Sequence, residues 1–264
     1  MECTFNEVYN MNNKEIVRKR YSEIATSNCG CGCCENTNSL NTQDIALKLG
    51  YSENDLKAIP EDSNLGLGCG NPIAFAEIKP GETILDLGSG AGLDCFFAAK
   101  ETGPSGKIIG VDMTAEMIFK ANENLAKTTF NNIQFRHGEI EKLPVEDSFI
   151  DVVISNCVIN LCEDKQKVYD EIFRVLKPGG RVAISDVAKV KEFTPEILNS
   201  NEMLCGCISG AASIETIKQI LNNSGFINVQ VIPKQESKEF IKDWTDQTNI
   251  EDYVISVFIR AQKN

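Results

Sequence analysis

The chain has 264 residues, 42% of them hydrophobic, which suits one large domain or one domain with an appendage. A formal net charge of −12 argues against an electrostatic grip on nucleic acid or on an anionic membrane. No apolar run is long enough to span a bilayer and the N-terminus lacks a signal-peptide pattern, so a cytoplasmic protein with no nucleic-acid or membrane partner is expected, with a monomer as the default.

Eleven cysteines are many for such a chain, and His137 is its one histidine. Without a secretion signal, a disulfide scaffold explains them less well than metal, metalloid or redox chemistry. In chain order, the spacing of Ile16, Val17, Tyr21 and Ile24 predicts a helix over 13–25 that packs on the domain as a lid or edge. Then come Cys29, Cys31, Cys33 and Cys34, four cysteines in six residues. A structural zinc site needs two separated ligand pairs, and the chain offers no partner C-x-x-C. A thiol loop that captures a soft ion or exchanges disulfides fits better, with a plain surface loop as the alternative. Residues 38–60 read as polar and helical, ending before Pro60. The loop Asn64-Leu-Gly-Leu-Gly-Cys69-Gly-Asn-Pro72 surrounds one cysteine with glycine and proline, which suits close backbone approach, and a helix over Ile73 to Ile78 follows. These features divide the chain into a helical, cysteine-rich segment over 1–63 and a main domain over 64–264.

The main domain opens on a strand, Thr83 to Leu87, a turn through Gly88, Gly90 and Gly92, and a helix from Leu93 to Lys100. A dinucleotide fingerprint would place its third glycine at position 93, where Leu93 stands. The run is instead G-x-G-x-G preceded by Asp86, and it resembles motif I of the S-adenosylmethionine (SAM) methyltransferases. A second strand, Lys107 to Asp112, ends in an acid 20 residues past Gly92, where a carboxylate accepts hydrogen bonds from ribose hydroxyls. A helix cap is the plainer role for Asp112, and Met113 packs either on an adenine or in the core. A helix over 114–128 follows, with Thr114 as N-cap and Met117, Ile118, Ala121 and Leu125 on one face. After a third strand, 132–137, the resemblance places Glu139 and Ile140 at the adenine, and His137 reads as a surface residue at the strand end.

The fourth strand, Phe149 to Asn156, delivers Cys157 to the carboxyl edge beside the switch point of the sheet. A helix over 164–176 and the turn Leu176-Lys-Pro-Gly-Gly180, familiar from methyltransferases, lead to a fifth strand, Arg181 to Val187. There Asp186 is either a cap or a functional group. An insertion over 189–212 carries Cys205 and Cys207 among small residues, on the substrate side. A helix over 214–224 capped by Gly225 and two strands, 226–232 and 253–261, close the sheet as an edge pair.

Three cysteine contexts then become specific: Asn64 to Pro72 around Cys69, Ser155-Asn-Cys157-Val-Ile-Asn-Leu161, and Cys207-Ile-Ser-Gly-Ala211. Over roughly residues 15–262 the chain resembles the arsenite SAM methyltransferases. The resemblance implies a Rossmann-like class I methyltransferase, an α/β fold whose seven-stranded, mostly parallel sheet carries helices on both faces. It implies SAM held by Asp86, Gly88, Ser89, Gly90, Gly92, Asp112, Met113, Glu139, Ile140 and Asn156. It also implies that Cys69, Cys157 and Cys207 bind trivalent arsenic, as arsenite or its thiol conjugates. A further N-terminal cysteine, Cys29 or Cys34, joins a thiol relay fed by thioredoxin or glutathione. Soft arsenic selects thiolates, and its lone pair is the nucleophile, so no general base is needed. The chain departs from the family in its C-G-C-G-C-C run, in Cys205, and in stopping at Asn264 where larger members continue. Cys3, Cys95 and Cys162 read as packing or surface residues. Two rival functions share the fold or the thiols: methylation of another small molecule such as a quinone precursor, and metalloid binding without turnover.

Overall fold

A computed structural model describes residues 12–26, 41–245 and 249–264. Seven strands form one sheet: β1 (Thr83–Leu87), β2 (Lys107–Asp112), β3 (Ile133–His137), β4 (Ile150–Asn156), β5 (Leu176–Lys189), β6 (Phe226–Pro233) and β7 (Val254–Lys263), in the order β3-β2-β1-β4-β5-β7-β6. β7 runs antiparallel to both of its neighbours, and the other pairs are parallel. This is the class I methyltransferase sheet. The strand order turns back between β1 and β4, and their carboxyl ends open a crevice there.

Side-chain alternation builds two cores. Ile84, Ile108, Val152, Ile154 and Ala183 face one of them, while Leu85, Ile109, Val153, Val182 and Ile184 face the other. The first face is covered by α4 (Ile73–Ala76), α5 (Leu93–Thr102) and α6 (Ala115–Ala126) through Phe75, Phe96 and Ala121. The second is covered by α7 (Lys165–Val175) and α10 (Ile214–Asn223) through Tyr169, Ile172, Ile217 and Leu221. Phe96, Tyr169 and Ile172 are almost fully buried. Burial of each such side chain stabilises by about 1.5–3 kcal/mol.

A third apolar cluster gathers three of the cysteines. Cys69, Cys157 and Cys207 share it with Ile197, Met203, Ile208, Ile241, Ile250 and Val254. These residues come from the insertion, with its short helices α8 (Pro195–Leu198) and α9 (Asn201–Cys205), and from the segment around α11 (Lys238–Ile241) before β7. Thus the insertion packs as an apolar cover over the carboxyl ends of β4 and β5. On the other side α1 (Asn13–Thr26) packs through Tyr21, Ile24 and Ala25 on Met117, Leu65 and Leu67.

Three expectations are adjusted. The stretch 41–60 holds two helices, α2 (Thr42–Leu49) and α3 (Glu53–Leu56), because Gly50 turns left-handed (φ 101°) and caps the first. The helix at 73–78 stops at Ala76, since Glu77 has φ 52°. Leu176 to Gly180 is no free turn: β5 starts at Leu176, which pairs with Ile150 across a register shift. Among the described residues, no helix is long and apolar enough to cross a membrane.

Candidate active site

A cavity opens at the carboxyl ends of β1, β2 and β4 under α1. Its floor is the glycine turn. Gly90 has φ 51° and nothing within 4 Å of where a side chain would begin, so it presents bare backbone to the cavity. Its N–H donates to Asp112 Oδ2 at 3.0 Å, and Thr114 N–H donates to Asp112 Oδ1 at 2.8 Å. Burial raises the Asp112 carboxyl's affinity for a proton, and the two backbone N–H groups oppose that. Of the residues expected around a cofactor, Asp86, Gly88, Ser89, Gly90, Asp112, Met113, Ile140 and Asn156 line this cavity. Two expected residues sit beside it. Gly92 is wedged against Phe135 and Phe96, making the turn. Glu139 bonds to Lys14 (3.0 Å) and Arg18 (3.1 Å) of α1, while Glu141 joins the lining and also pairs with Lys14 at 2.8 Å. His137 is exposed at the end of β3, as expected.

Buried acids make the inner wall. Asp94, on the first turn of α5, accepts from Tyr51 Oη at 2.6 Å and is pushed up to about 6, chiefly by burial. Asp86 is held well above the usual carboxylate range by burial and by Asp94, and Cys95 Sγ donates to it at 3.2 Å. Sequence reasoning missed Asp94 and Tyr51. Asp94 looks like an ordinary acid at a helix start, and Tyr51 is over 40 residues away from it in the chain, so no local signal marks the pair. Ser89 Oγ is buried in the same wall without a hydrogen-bond partner. An orphaned hydroxyl there suits a ligand that supplies the missing partner.

The cysteines lie next door. Cys69 and Cys157 are joined as a disulfide, with Cα atoms 5.9 Å apart, and Cys207 Sγ donates to the Cys157 carbonyl at 2.7 Å. All three are buried. Burial pushes the Cys207 thiol well above its usual range. Cys157 and Cys207 have φ of 56° and 63°, a region that disfavours side chains and costs each about 1–3 kcal/mol. Cys157 also lines the cavity described above, so the cavity and the cysteine cluster share a wall. Asn156 links them: its Oδ1 accepts from Cys69 N–H at 3.0 Å, and its Nδ2 donates to Gly70 O at 2.7 Å. The carboxylate of Asp186 completes the cluster, with one oxygen within 4.8 Å of the sulfurs of both Cys69 and Cys157. Cys205 is half-buried at the end of α9, where its carbonyl accepts from Tyr21 Oη at 3.1 Å. Cys162 lies in the cavity wall with its thiol pushed up to about 12 by burial. Cys3, Cys29, Cys31, Cys33 and Cys34, and with them the expected relay residues, lie outside the described residues.

Residues 78–225 match the family model described as a methyltransferase domain. The arsenite methyltransferase of Halobacterium salinarum is 48% identical over 95% of this chain and 66% of its own length. The human arsenite methyltransferase is 38% identical over 60% of this chain and 44% of its own. The chain thus spans just under two thirds of the first relative and under half of the second. Among solved structures, an arsenic(III) S-adenosylmethionine methyltransferase from Chlamydomonas reinhardtii is 31% identical, with a TM-score of 0.58 over 84% of this chain and 74% of that one. The chain belongs to the arsenic(III) S-adenosylmethionine methyltransferase family, within the wider group built on the methyltransferase domain.

Proposed function

We propose that this protein moves a methyl group from S-adenosylmethionine to trivalent arsenic held by the thiolates of Cys69, Cys157 and Cys207. The observation that carries the reading is the position of Cys157. It walls the nucleotide-type cavity, and it is bonded to Cys69 and hydrogen-bonded to Cys207.

The cavity suits the cofactor. Asp112 is oriented by two backbone N–H groups and accepts ribose hydroxyls, Gly90 gives open backbone, and Ser89 Oγ awaits a partner. Met113 and Ile140 supply apolar walls for a base. The bound cofactor supplies a methyl group on a positively charged sulfur, the electrophile for the arsenic lone pair. The protein's task is alignment and dryness, and positioning of this kind can supply about 7–11 kcal/mol of a barrier. The apolar cluster around the cysteines excludes water, and α1 closes the cavity from above. The thiol protons leave as arsenic binds, since only thiolates are ligands.

Methylation leaves pentavalent arsenic, which needs two electrons. Two thiolates supply them by coupling to a disulfide, and Cys69 and Cys157 stand in that oxidised pairing. A thiol relay through Cys29 or Cys34, fed by thioredoxin or glutathione in a reducing cytoplasm, returns them to thiols. The protein works as a monomer in this reading. Purified protein, SAM, a thiol reductant and arsenite should give methylated arsenic that is lost in Cys157→Ser and Cys207→Ser. SAM binding without any methylarsenical in the unsubstituted protein would overturn the reading.

A further inference from the structure

Methyl transfer to a three-thiolate arsenic leaves Asp186 without a role. It sits in β5 three residues before the strand's end, 3% exposed, with a carboxylate oxygen within 4.8 Å of both the Cys69 and the Cys157 sulfur. Its orientation is fixed: Oδ1 accepts from Asn160 Nδ2 and from the Val187 N–H, both at 2.9 Å. Asn160 is itself pinned, donating to Val187 O at 2.7 Å. A buried carboxylate is ordinarily paired or bound to a metal. Burial raises its carboxyl to about 7, and the Val187 N–H and the Lys165 ammonium, at the first residue of α7, oppose that. The arrangement of ligand, orienting amide and backbone donor is that of a metal-ligating carboxylate with its supporting hydrogen bonds.

We propose that, once the Cys69–Cys157 disulfide is reduced, Cys69, Cys157 and Asp186 form a site for zinc, with the fourth tetrahedral position open to water or a small thiol. The donor count separates the two guests. Trivalent arsenic keeps a lone pair and fills its valence with three sulfurs, so a hard carboxylate adds little. Zinc has no lone pair, takes four donors, and accepts thiolate and carboxylate together. Reduction by a phosphine delivers two electrons to the disulfide while phosphorus is oxidised and takes oxygen from water. Zinc then displaces the two thiol protons to buffer. A consequence, which rests on the arsenic reading, is that zinc competes with arsenic for two of its three thiolates. The zinc site itself stands without that reading.

The test uses the full chain with Cys3, Cys29, Cys31, Cys33 and Cys34 replaced by serine, reduced with a phosphine and titrated with Co2+. One equivalent should give intense visible bands of tetrahedral cobalt and a near-ultraviolet thiolate-to-cobalt band, both discharged by zinc. Asp186→Asn should weaken Co2+ and zinc by about tenfold or more, while arsenite affinity changes by less than about threefold. The oxidised chain, disulfide intact, should bind neither cation. Absence of the thiolate band, equal binding by the oxidised chain, an unchanged affinity in Asp186→Asn, or an equal loss for arsenite would each overturn the proposal. Cation binding by this chain, beside SAM binding without any methylarsenical in the unsubstituted protein, would sink the proposed function and leave this site standing.

Discussion

The two halves of the site are held in opposite ways. Around Gly90 and Asp112 the ligand-facing groups are backbone atoms and a carboxylate fixed by backbone N–H groups, so the cavity is built before anything enters it. Around Cys69, Cys157 and Cys207 the groups are sulfurs, two joined as a disulfide and one a free thiol, with Cys157 and Cys207 on left-handed backbone among apolar side chains. A permanent cofactor shape can be made from glycine and hydrogen bonds. The proposed arsenic site, which would bind, donate electrons and reset, needs groups that can change partners, and strain is tolerated where it places them.

The comparison breaks most sharply at Cys157. Cys157→Ser should reduce arsenic methylation by about a hundredfold or more, because a hydroxyl is a poor donor to a soft ion, and leave S-adenosylhomocysteine affinity within about threefold. Calorimetry beside an activity assay reads both. Asp112→Ala attacks the other half. It strands the Gly90 and Thr114 N–H groups and should cost about 1–3 kcal/mol in cofactor affinity, with arsenite binding unchanged. Asn156→Ala removes the link between the halves, so both affinities should fall, each by about tenfold. An effect confined to one side would show that the two halves are independent.

Acidity sharpens the same contrast. Asp94 has its carboxyl raised from 3.8 to about 6 in the fold, so the folded cavity holds the proton more tightly than the unfolded chain does. Its contribution to stability is whole below about pH 4 and is lost as pH rises through about 6. Asp94→Asn should flatten the fall in Tm over that window, by about 2–4 °C for each kcal/mol recovered. The smallest effect belongs to the lid. Lys14→Ala removes part-exposed ion pairs to Glu139 and Glu141 and should cost about 0.5 kcal/mol in a denaturant titration.

The sheet was legible because local pattern and global fold agree there. The run Thr83 to Lys100 announces strand, turn and helix within a few residues, and buried parallel strands read as apolar runs. Small-residue surroundings singled out Cys69, Cys157 and Cys207, and the fold brings the three into one buried cluster. What stayed hidden is what the chain brings together from afar. Tyr51 meets Asp94, Lys14 meets Glu139, and Asp186 meets two sulfurs only once the strands are side by side. Glu139 also has partners that its position after β3 does not announce, since α1 lies close enough to pair with it through two cations. Periodicity cannot report a partner more than a hundred residues upstream.

The most direct test of the central claim is the arsenic K-edge absorption spectrum of the reduced protein with one equivalent of arsenite, in a chain whose Cys3, Cys29, Cys31, Cys33 and Cys34 are serine. Three sulfur neighbours and no oxygen are expected, falling to two sulfurs in Cys207→Ser. An oxygen neighbour in the unsubstituted pocket, or three sulfurs that survive the loss of Cys207, would contradict the assignment of Cys69, Cys157 and Cys207 as the arsenic ligands.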